Sequence, residues 1–421
     1  MPLSFLKKPF VKKMSSAMFT QGMLSVTNFI VGVAIAKYAT KNEYGLYVIL
    51  FSIIGIAGNF QNALVNDPMT VLLPKKNAEE KHSFLSGLGY GQWLFFIPLV
   101  ALTLIVVSIY SFLNKDFSLL KYISVLSIAT LTYLLREYFR TVSYTKMQIH
   151  LIVKMDVLFM AFMAAGICAL ILLDRVTGSS SIAMLGIGYF VAAVFEYVCA
   201  GEVYNAKIDS IRNSFRETWQ YSKWALVGVT SDIFKNRGYI YIVTVSVGLA
   251  ETADISAARL FLMPIGLLVA SSAKFILAKG ADVFHVEGSA RFRKIVMTII
   301  AASIAAWAVY VISLTSVMEY LTSFLGEKYG NIQGHILLWG IYFLVYSIRY
   351  QLTNALTVCR EFKALANYSV ISGIVTVGSC LVLTATHGGI GTIMSLIAGE
   401  LVMLAFAYIR LSASLATVKA T

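Results

Sequence analysis

Apolar runs, each long enough to cross a roughly 30 Å hydrocarbon core as a helix of about 20 residues, recur along nearly the whole chain. Closed barrels would instead show short segments of alternating hydrophobicity, and those are missing. Of the 421 residues, 58% are hydrophobic and 13% charged, whereas soluble domains carry about 25% charged residues. The fold class expected is all-α: a polytopic membrane helix bundle of about twelve transmembrane helices. The spans fall roughly at 17–37, 46–73, 84–113, 117–137, 154–173, 181–203, 222–248, 255–278, 295–324, 332–357, 364–386 and 389–411. The connections between them read as short, so any function has to be built inside the bundle. The basic lead MPLSFLKKPFVKKMSSAMF imitates a signal peptide, but the apolar run after it continues too far and carries no convincing cleavage site, so it reads as a retained first helix.

A net charge of +13 would suggest nucleic acid in a soluble protein. Here no basic domain stands apart from the spans, and the charge reads as anchoring to anionic membrane lipids, with no nucleic-acid partner. With the amino terminus set inside, 23 Lys and Arg fall on that side, from Lys7, Lys8, Lys12 and Lys13 to Arg410 and Lys419, and only six on the other: Lys37, Lys41, Lys115, Lys121, Arg175 and Lys328. The positive-inside rule then puts both termini in the cytoplasm of a multi-pass inner-membrane protein.

Two internal echoes lie half a chain apart. Ala39-Thr-Lys-Asn-Glu43-Tyr44-Gly45 resembles Ala250-Glu-Thr-Ala-Asp254-Ile255-Ser256, and Tyr133-Leu-Leu-Arg136 resembles Tyr346-Ser-Ile-Arg349. Six spans per repeat is an even number, so the halves would be parallel: two pseudo-symmetric six-helix lobes, 1–208 and 209–421, around a central cleft.

The stretch from Gly32 through Lys37, Glu43, Tyr44 and Gly45 to Tyr47, together with Arg136-Glu-Tyr-Phe-Arg140, resembles the polysaccharide-exporter branch of the MOP superfamily, the Wzx-type flippases of O-antigen and exopolysaccharide repeat units. The resemblance covers essentially the whole chain. It implies a secondary transporter that carries a polyprenyl-(pyro)phosphate-linked oligosaccharide from the cytoplasmic to the periplasmic leaflet by alternating access. The partners it implies are the lipid-linked oligosaccharide, membrane lipids, and glycan polymerases or glycosyltransferases. The chain departs from the family where an Asp-Arg pair is often found in span 7 and Asn236-Arg237 stands instead, and where Ser256 replaces an expected glycine.

Five basic residues remain for span interiors: Lys235, Arg237, Arg259, Lys274 and Arg349. Each costs roughly 2.5–3.5 kcal/mol at a helix centre and needs a partner, a wet cavity or a snorkelling route. Asp232 and Lys235 are three apart and share a helix face, which predicts an internal salt bridge; Arg237, about 200° away from Lys235, reads as a cavity residue. Arg349 is placed deep in span 10, with Arg136 as its counterpart in span 4. Snorkelling accounts for Arg136, Arg140, Arg259 and Lys274 more cheaply than ligand binding does. As a set, Arg237, Arg349, Lys235, Arg136, Arg259 and Lys274 point to a cationic site for an anionic cargo, since guanidinium binds pyrophosphate bidentately and keeps its charge. Asp232 and Glu400 are the carboxylates singled out for ion coupling, Glu400 as the most isolated acid, with Asp67, Asp156 and Glu196 also in or near spans.

No P-loop, HExxH or Cys/His ligand spacing occurs, so neither cofactor nor metal nor catalysis is expected. The four cysteines lack CxxC spacing, and the five histidines have no carboxylate arranged about them in sequence. Two other readings stay open: a MATE-like cation or drug antiporter, which would favour intramembrane acids, and a membrane glycan polymerase or ligase, which usually carries a large outer loop.

Overall fold

The computed structural model describes residues 8–200 and 207–417. Of the residues invoked above, Lys7 and Lys419 lie outside this description, as do the side chains of Lys8, Lys12, Lys13, Lys274 and Lys279. Among the described residues every regular element is helical. The helices are α1 (Lys8–Tyr38), α2 (Lys41–Gln61), α3 (Asp67–Leu72), α4 (Ala78–Gly91), α5 (Trp93–Asn114), α6 (Ser118–Thr145), α7 (Ile149–Leu172) and α8 (Gly178–Ala200). They continue as α9 (Ile208–Ser246), α10 (Leu249–Leu260), α11 (Met263–Asp282), α12 (Ser289–Ser316), α13 (Met318–Leu325), α14 (Gln333–Val358) and α15 (Phe362–Thr417).

Polar and apolar residues are distributed inside out. Leu94, Leu99, Leu102, Ile105, Phe112 and Leu113 of α5 are exposed, while Arg136, Asp156, Glu196, Lys235 and Glu400 are buried. Only an apolar solvent makes that arrangement stable, since water would reward the reverse. By length and composition, seven of the described helical stretches can cross a membrane, or eight when the bent pair Leu249–Leu260 and Met263–Ala273 counts as one span. The other expected spans fall short for local reasons. The described apolar part of α1 is short, Gly22–Tyr38. The helix α9 carries Asp232, Lys235 and Arg237 in mid-course, and α14 carries Arg349. Two expected spans also run together in α15, which breaks at Gly388 (φ 57°, ψ −135°), a left-handed conformation that glycine adopts without the steric cost of a Cβ.

The chain divides into two compact units, Met1–Val229 and Thr230–Thr421. The division falls inside α9 rather than at the 208/209 boundary expected from the repeat. The first part of α9 belongs to unit 1 because it is stitched to α4 and its neighbours. Ser83 bonds Ser210 at 2.9 Å, Ser214 donates to the Phe84 carbonyl, Lys76 pairs with Glu217 at 2.7 Å, and Ser222 donates to the Leu64 carbonyl. The connection between spans 6 and 7 is therefore largely helical, not the simple short loop expected.

Each unit shows the same internal device, and it corrects the register of the first echo. In unit 1, Glu43 follows the N-cap Thr40 of α2, and its Oε2 accepts the backbone N–H of Gly178 at the start of α8 (2.7 Å). In unit 2, Glu251 in the first turn of α10 accepts the N–H of Gly389, where the second arm of α15 begins (2.8 Å). Glu43 thus corresponds to Glu251, not to Asp254. A carboxylate at a helix N-terminus satisfies an orphan donor and complements the helix dipole. Close approach requires glycine at Gly178, because a Cβ there would come within 2.7 Å of the Glu43 carbonyl oxygen. Gly178→Ala is expected to lower stability by about 1–3 kcal/mol by overpacking against backbone, measured as the thermal unfolding of the purified protein; no shift would show that the α2–α8 contact has slack.

Candidate functional site

Both units bury charged side chains, and they use them differently. In unit 1, α6 presents Arg136, Glu137 and Arg140 on one side of the helix, as the i, i+4 spacing of the arginines dictates. Asp156 of α7 sits opposite. Its Oδ1 accepts from Arg136 Nη2 at 2.6 Å and its Oδ2 from Arg140 Nη2 at 3.3 Å. Arg136 Nη1 also donates to Glu137 at 2.6 Å, and the Arg136 guanidinium lies 4.8 Å from the Phe159 ring centre and 5.7 Å from that of Tyr189. Arg136 is 2% exposed, and the Nε atoms of both arginines are sealed off without an acceptor. Snorkelling is thus not what these arginines do: Arg136 and Arg140 are bound up in an internal ion cluster.

In unit 2, three helices bring one carboxylate against two cations. Glu400, in the second arm of α15, accepts from Arg349 Nε of α14 at 2.6 Å and pairs with Lys235 Nζ of α9 at 3.2 Å. It is 1% exposed, so the acid that looks most isolated in sequence is held between two cations. The predicted Asp232–Lys235 bridge gives way to this pair. Asp232 is exposed and accepts from Asn236 Nδ2 at 2.5 Å, and Lys235 turns inward because the interior holds a carboxylate that needs a counter-charge.

Arg259 of α10 is not snorkelling either. Its Nη1 donates to the Tyr239 hydroxyl at 2.8 Å, and its guanidinium lies 5.3 Å from the centre of the Trp339 ring, itself fixed by an indole N–H bond to the Ile255 carbonyl. A ladder of tyrosines one turn apart joins the two arginines. Tyr342 stacks on Tyr346 and Tyr346 on Tyr350, and the Arg349 guanidinium lies 4.9 Å from the Tyr346 centre. Both Tyr342 and Tyr346 are within electrostatic reach of Arg259 and Arg349.

The contrast between units lies in what the guanidinium groups have left to give. Arg349 spends Nε on Glu400, and Arg259 spends Nη1 on Tyr239. Their remaining nitrogens make no hydrogen bond to the described residues and, unlike the Nε of Arg136, are not sealed off. Arg237 is half-buried on α9, away from the Lys235 face, and Lys274 lies on α11 with its side chain outside the description. No cluster of three or more His, Cys, Asp or Glu that would hold a metal occurs among the described residues.

Among solved structures, the lipid II flippase MurJ in an inward closed conformation matches with a TM-score of 0.75 at 13% identity, over 96% of this chain and 87% of that one. An inward-facing multidrug resistance MATE family transporter of the MOP superfamily matches with a TM-score of 0.65 at 12% identity, over 93% and 95%. The eukaryotic MATE transporter AtDTX14 matches at 0.64 and 13%, over 95% and 96%. The chain has the fold of MOP superfamily transporters. No family model and no curated sequence matches it.

Within this MOP fold, the capped glycines align Gly178 with Gly389, an offset of 211, which sets Tyr189 of α8 opposite Glu400 of α15. The two play related parts: Tyr189 lies beside Arg136 and Glu400 binds Arg349. Sequence reading paired Arg136 with Arg349 but missed both counter-charges, since Asp156 and Glu400 lie on other helices. It also missed Tyr239, Trp339 and the ladder, although Tyr342, Tyr346 and Tyr350 recur every fourth residue, a helical stripe visible in sequence. His335, read as having no carboxylate about it, lies 3.3 Å from Glu251.

Proposed function

We propose that this chain is a secondary transporter that moves a polyprenyl-(pyro)phosphate-linked oligosaccharide from the cytoplasmic to the outer leaflet of a bacterial inner membrane, as a step in O-antigen or exopolysaccharide synthesis. In this reading both termini are cytoplasmic, and the work is transport by alternating access rather than catalysis. The observation that carries it is the pair Arg349 and Arg259, each engaged through one nitrogen and each with donors left over in an apolar surrounding. Such groups bind phosphate oxygens strongly, because the competing water is scarce and the guanidinium charge is permanent. Glu400 holds Arg349 in place and offsets part of the charge, while Lys235 keeps the local balance positive. The tyrosine ladder offers ring faces and hydroxyls to sugars. MurJ, by its name a lipid II flippase, lends support as a neighbour in fold.

The residues expected to line the site are thereby ranked: Arg349 and Arg259 bind, Lys235 and Glu400 set the charge, and Arg136 is structural. A second reading, a MATE-like cation or drug antiporter, is favoured by the MATE neighbours. The cationic lining argues against a cationic cargo.

The test is binding and export together. Arg349→Gln and Arg259→Gln are each expected to weaken binding of a short-chain polyprenyl pyrophosphate by about tenfold to a hundredfold, the worth of one or two charge-assisted hydrogen bonds. Cells carrying the variants should accumulate lipid-linked glycan. Unchanged affinity in both variants, or restored dye efflux with no effect on glycan, would favour the antiporter.

A further inference from the structure

Unit 1 holds a cavity of about 200 Å³. Tyr90, Trp93, Tyr138, Phe139 and Tyr197 give it aromatic walls, and among the described residues no charged side chain lines it. Tyr138 meets Phe139 edge to face and Phe139 tilts against Tyr197, in both cases with ring centres 5.7 Å apart. A Cβ on Gly89, also in the lining, would stand 3.0 Å from the Tyr138 hydroxyl, so glycine keeps that wall clear.

The polar side comes from Gln92, at the seam between α4 and α5, which is 1% exposed and held from behind. Its Oε1 accepts from Gln61 Nε2 at 2.8 Å, and Gln61 Nε2 also donates to the Leu134 carbonyl at 2.6 Å. With its oxygen taken, Gln92 makes one long bond through Nε2, 3.3 Å to the Gly89 carbonyl, and keeps a second N–H beside the cavity. Gln61 is wholly buried, and its Oε1 accepts from no described residue. A buried amide pair with a spare donor and a spare acceptor is completed by hydroxyl groups, which supply both.

These features select among ligands. A phosphate would find no cation here, and a bare hydrocarbon chain would leave the Gln92 N–H unanswered. Aromatic faces also bind quaternary ammonium groups, but no carboxylate lines the cavity to balance one. A pyranose offers C–H faces to the rings and hydroxyls to the amide. The volume lies below the roughly 300–1,000 Å³ of drug-sized sites, which leaves room for one ring rather than a chain.

We propose that this cavity is a sugar-binding site that receives one pyranose ring of the cargo glycan, an occupant whose identity rests on the flippase reading above. In the orientation of that reading, Tyr197 lies one turn from the cytoplasmic end of α8, and Phe139 lies within two turns of that of α6. A glycan on an inner-leaflet lipid meets the protein at that level. Tyr and Trp are common there as membrane anchors, but an anchor needs no buried amide turned toward it. The cavity thus selects cargo by its sugar, while Arg349 and Arg259 select its phosphate.

Saturation-transfer NMR with methyl glucoside, on the full chain in lipid nanodiscs, tests this with a probe that has neither phosphate nor prenyl chain. Irradiating aromatic protons is expected to transfer saturation to the sugar ring. Tyr90→Ala and Tyr197→Ala should each weaken binding by about threefold to tenfold, and together they should abolish the transfer. Both side chains are close to half exposed, so the fold survives their loss, as thermal unfolding will verify. Tyr320→Ala, on the exposed side of α13, should change nothing. Absence of transfer in the unaltered protein, its persistence in the double variant, or displacement of the sugar by tetramethylammonium would overturn the proposal. Lost sugar binding with intact polyprenyl pyrophosphate binding defeats this proposal alone. Intact sugar binding without pyrophosphate binding defeats the flippase reading and leaves the sugar site standing.

Discussion

Glu400→Gln lowers the stability of the protein by about 3–5 kcal/mol, the cost of leaving buried charges without their partner. Glu400 is the carboxylate to which both Arg349 Nε and Lys235 Nζ turn, at 2.6 and 3.2 Å. The amide keeps the shape and removes the charge, so the loss reports electrostatics rather than a cavity. Chemical or thermal unfolding in detergent measures it, with the Lys235→Met, Arg349→Met, Glu400→Leu triple variant as the companion. Replacing a buried ion cluster by apolar groups of similar volume is often neutral, so the triple variant should regain most of the stability. On the proposed mechanism it should still weaken phosphate binding by about tenfold to a hundredfold, since Arg349 is gone and Arg259 remains. A single variant with less than about 1 kcal/mol of loss would mean that water reaches Lys235 and Arg349 well enough to replace the carboxylate.

Asp156→Ala should be comparably damaging to unit 1 and silent at the proposed phosphate site. Asp156 is fully buried and bonds both Arg136 and Arg140, and of their other partners, Glu137 makes a short contact only with Arg136, lying 3.9 Å from Arg140. The expected loss is again about 3–5 kcal/mol. Binding of polyprenyl pyrophosphate by folded protein should change by less than about threefold, because the pairs that hold Arg349 and Arg259 lie in unit 2. A large drop in affinity with little loss of stability would reverse the ranking of the two clusters and make Arg136 the binding residue. Isothermal titration alongside unfolding separates the two outcomes.

Much of the fold was legible in the sequence because lipid imposes a one-dimensional rule. A helix that satisfies its own backbone and turns apolar side chains outward leaves its signature in every run of about 20 residues. That rule gave the helical class and most of the spans. It failed in instructive places. The echo around Glu43 was set three residues out, because Asp254 lies where sequence similarity runs best, whereas the carboxylate that reaches the facing glycine is Glu251. The Asp232–Lys235 bridge was read from helix spacing alone, and spacing says only which side chains can meet on one helix, not what a second helix offers.

The sequence by itself therefore determined that this is a helical membrane protein built on a repeat, and that basic residues inside its spans must have a reason to be there. Only the tertiary structure decided which reason applies to each. Arg136 and Arg140 are consumed by Asp156, and Glu400 binds Arg349 and Lys235 from across the bundle. Arg259 and Arg349 keep donors free. The cause is physical. Hydrophobicity is a property of each residue and survives in the sequence, but the cost of a buried charge depends on the distance to its counter-charge, and that distance is set by helices far apart in the chain.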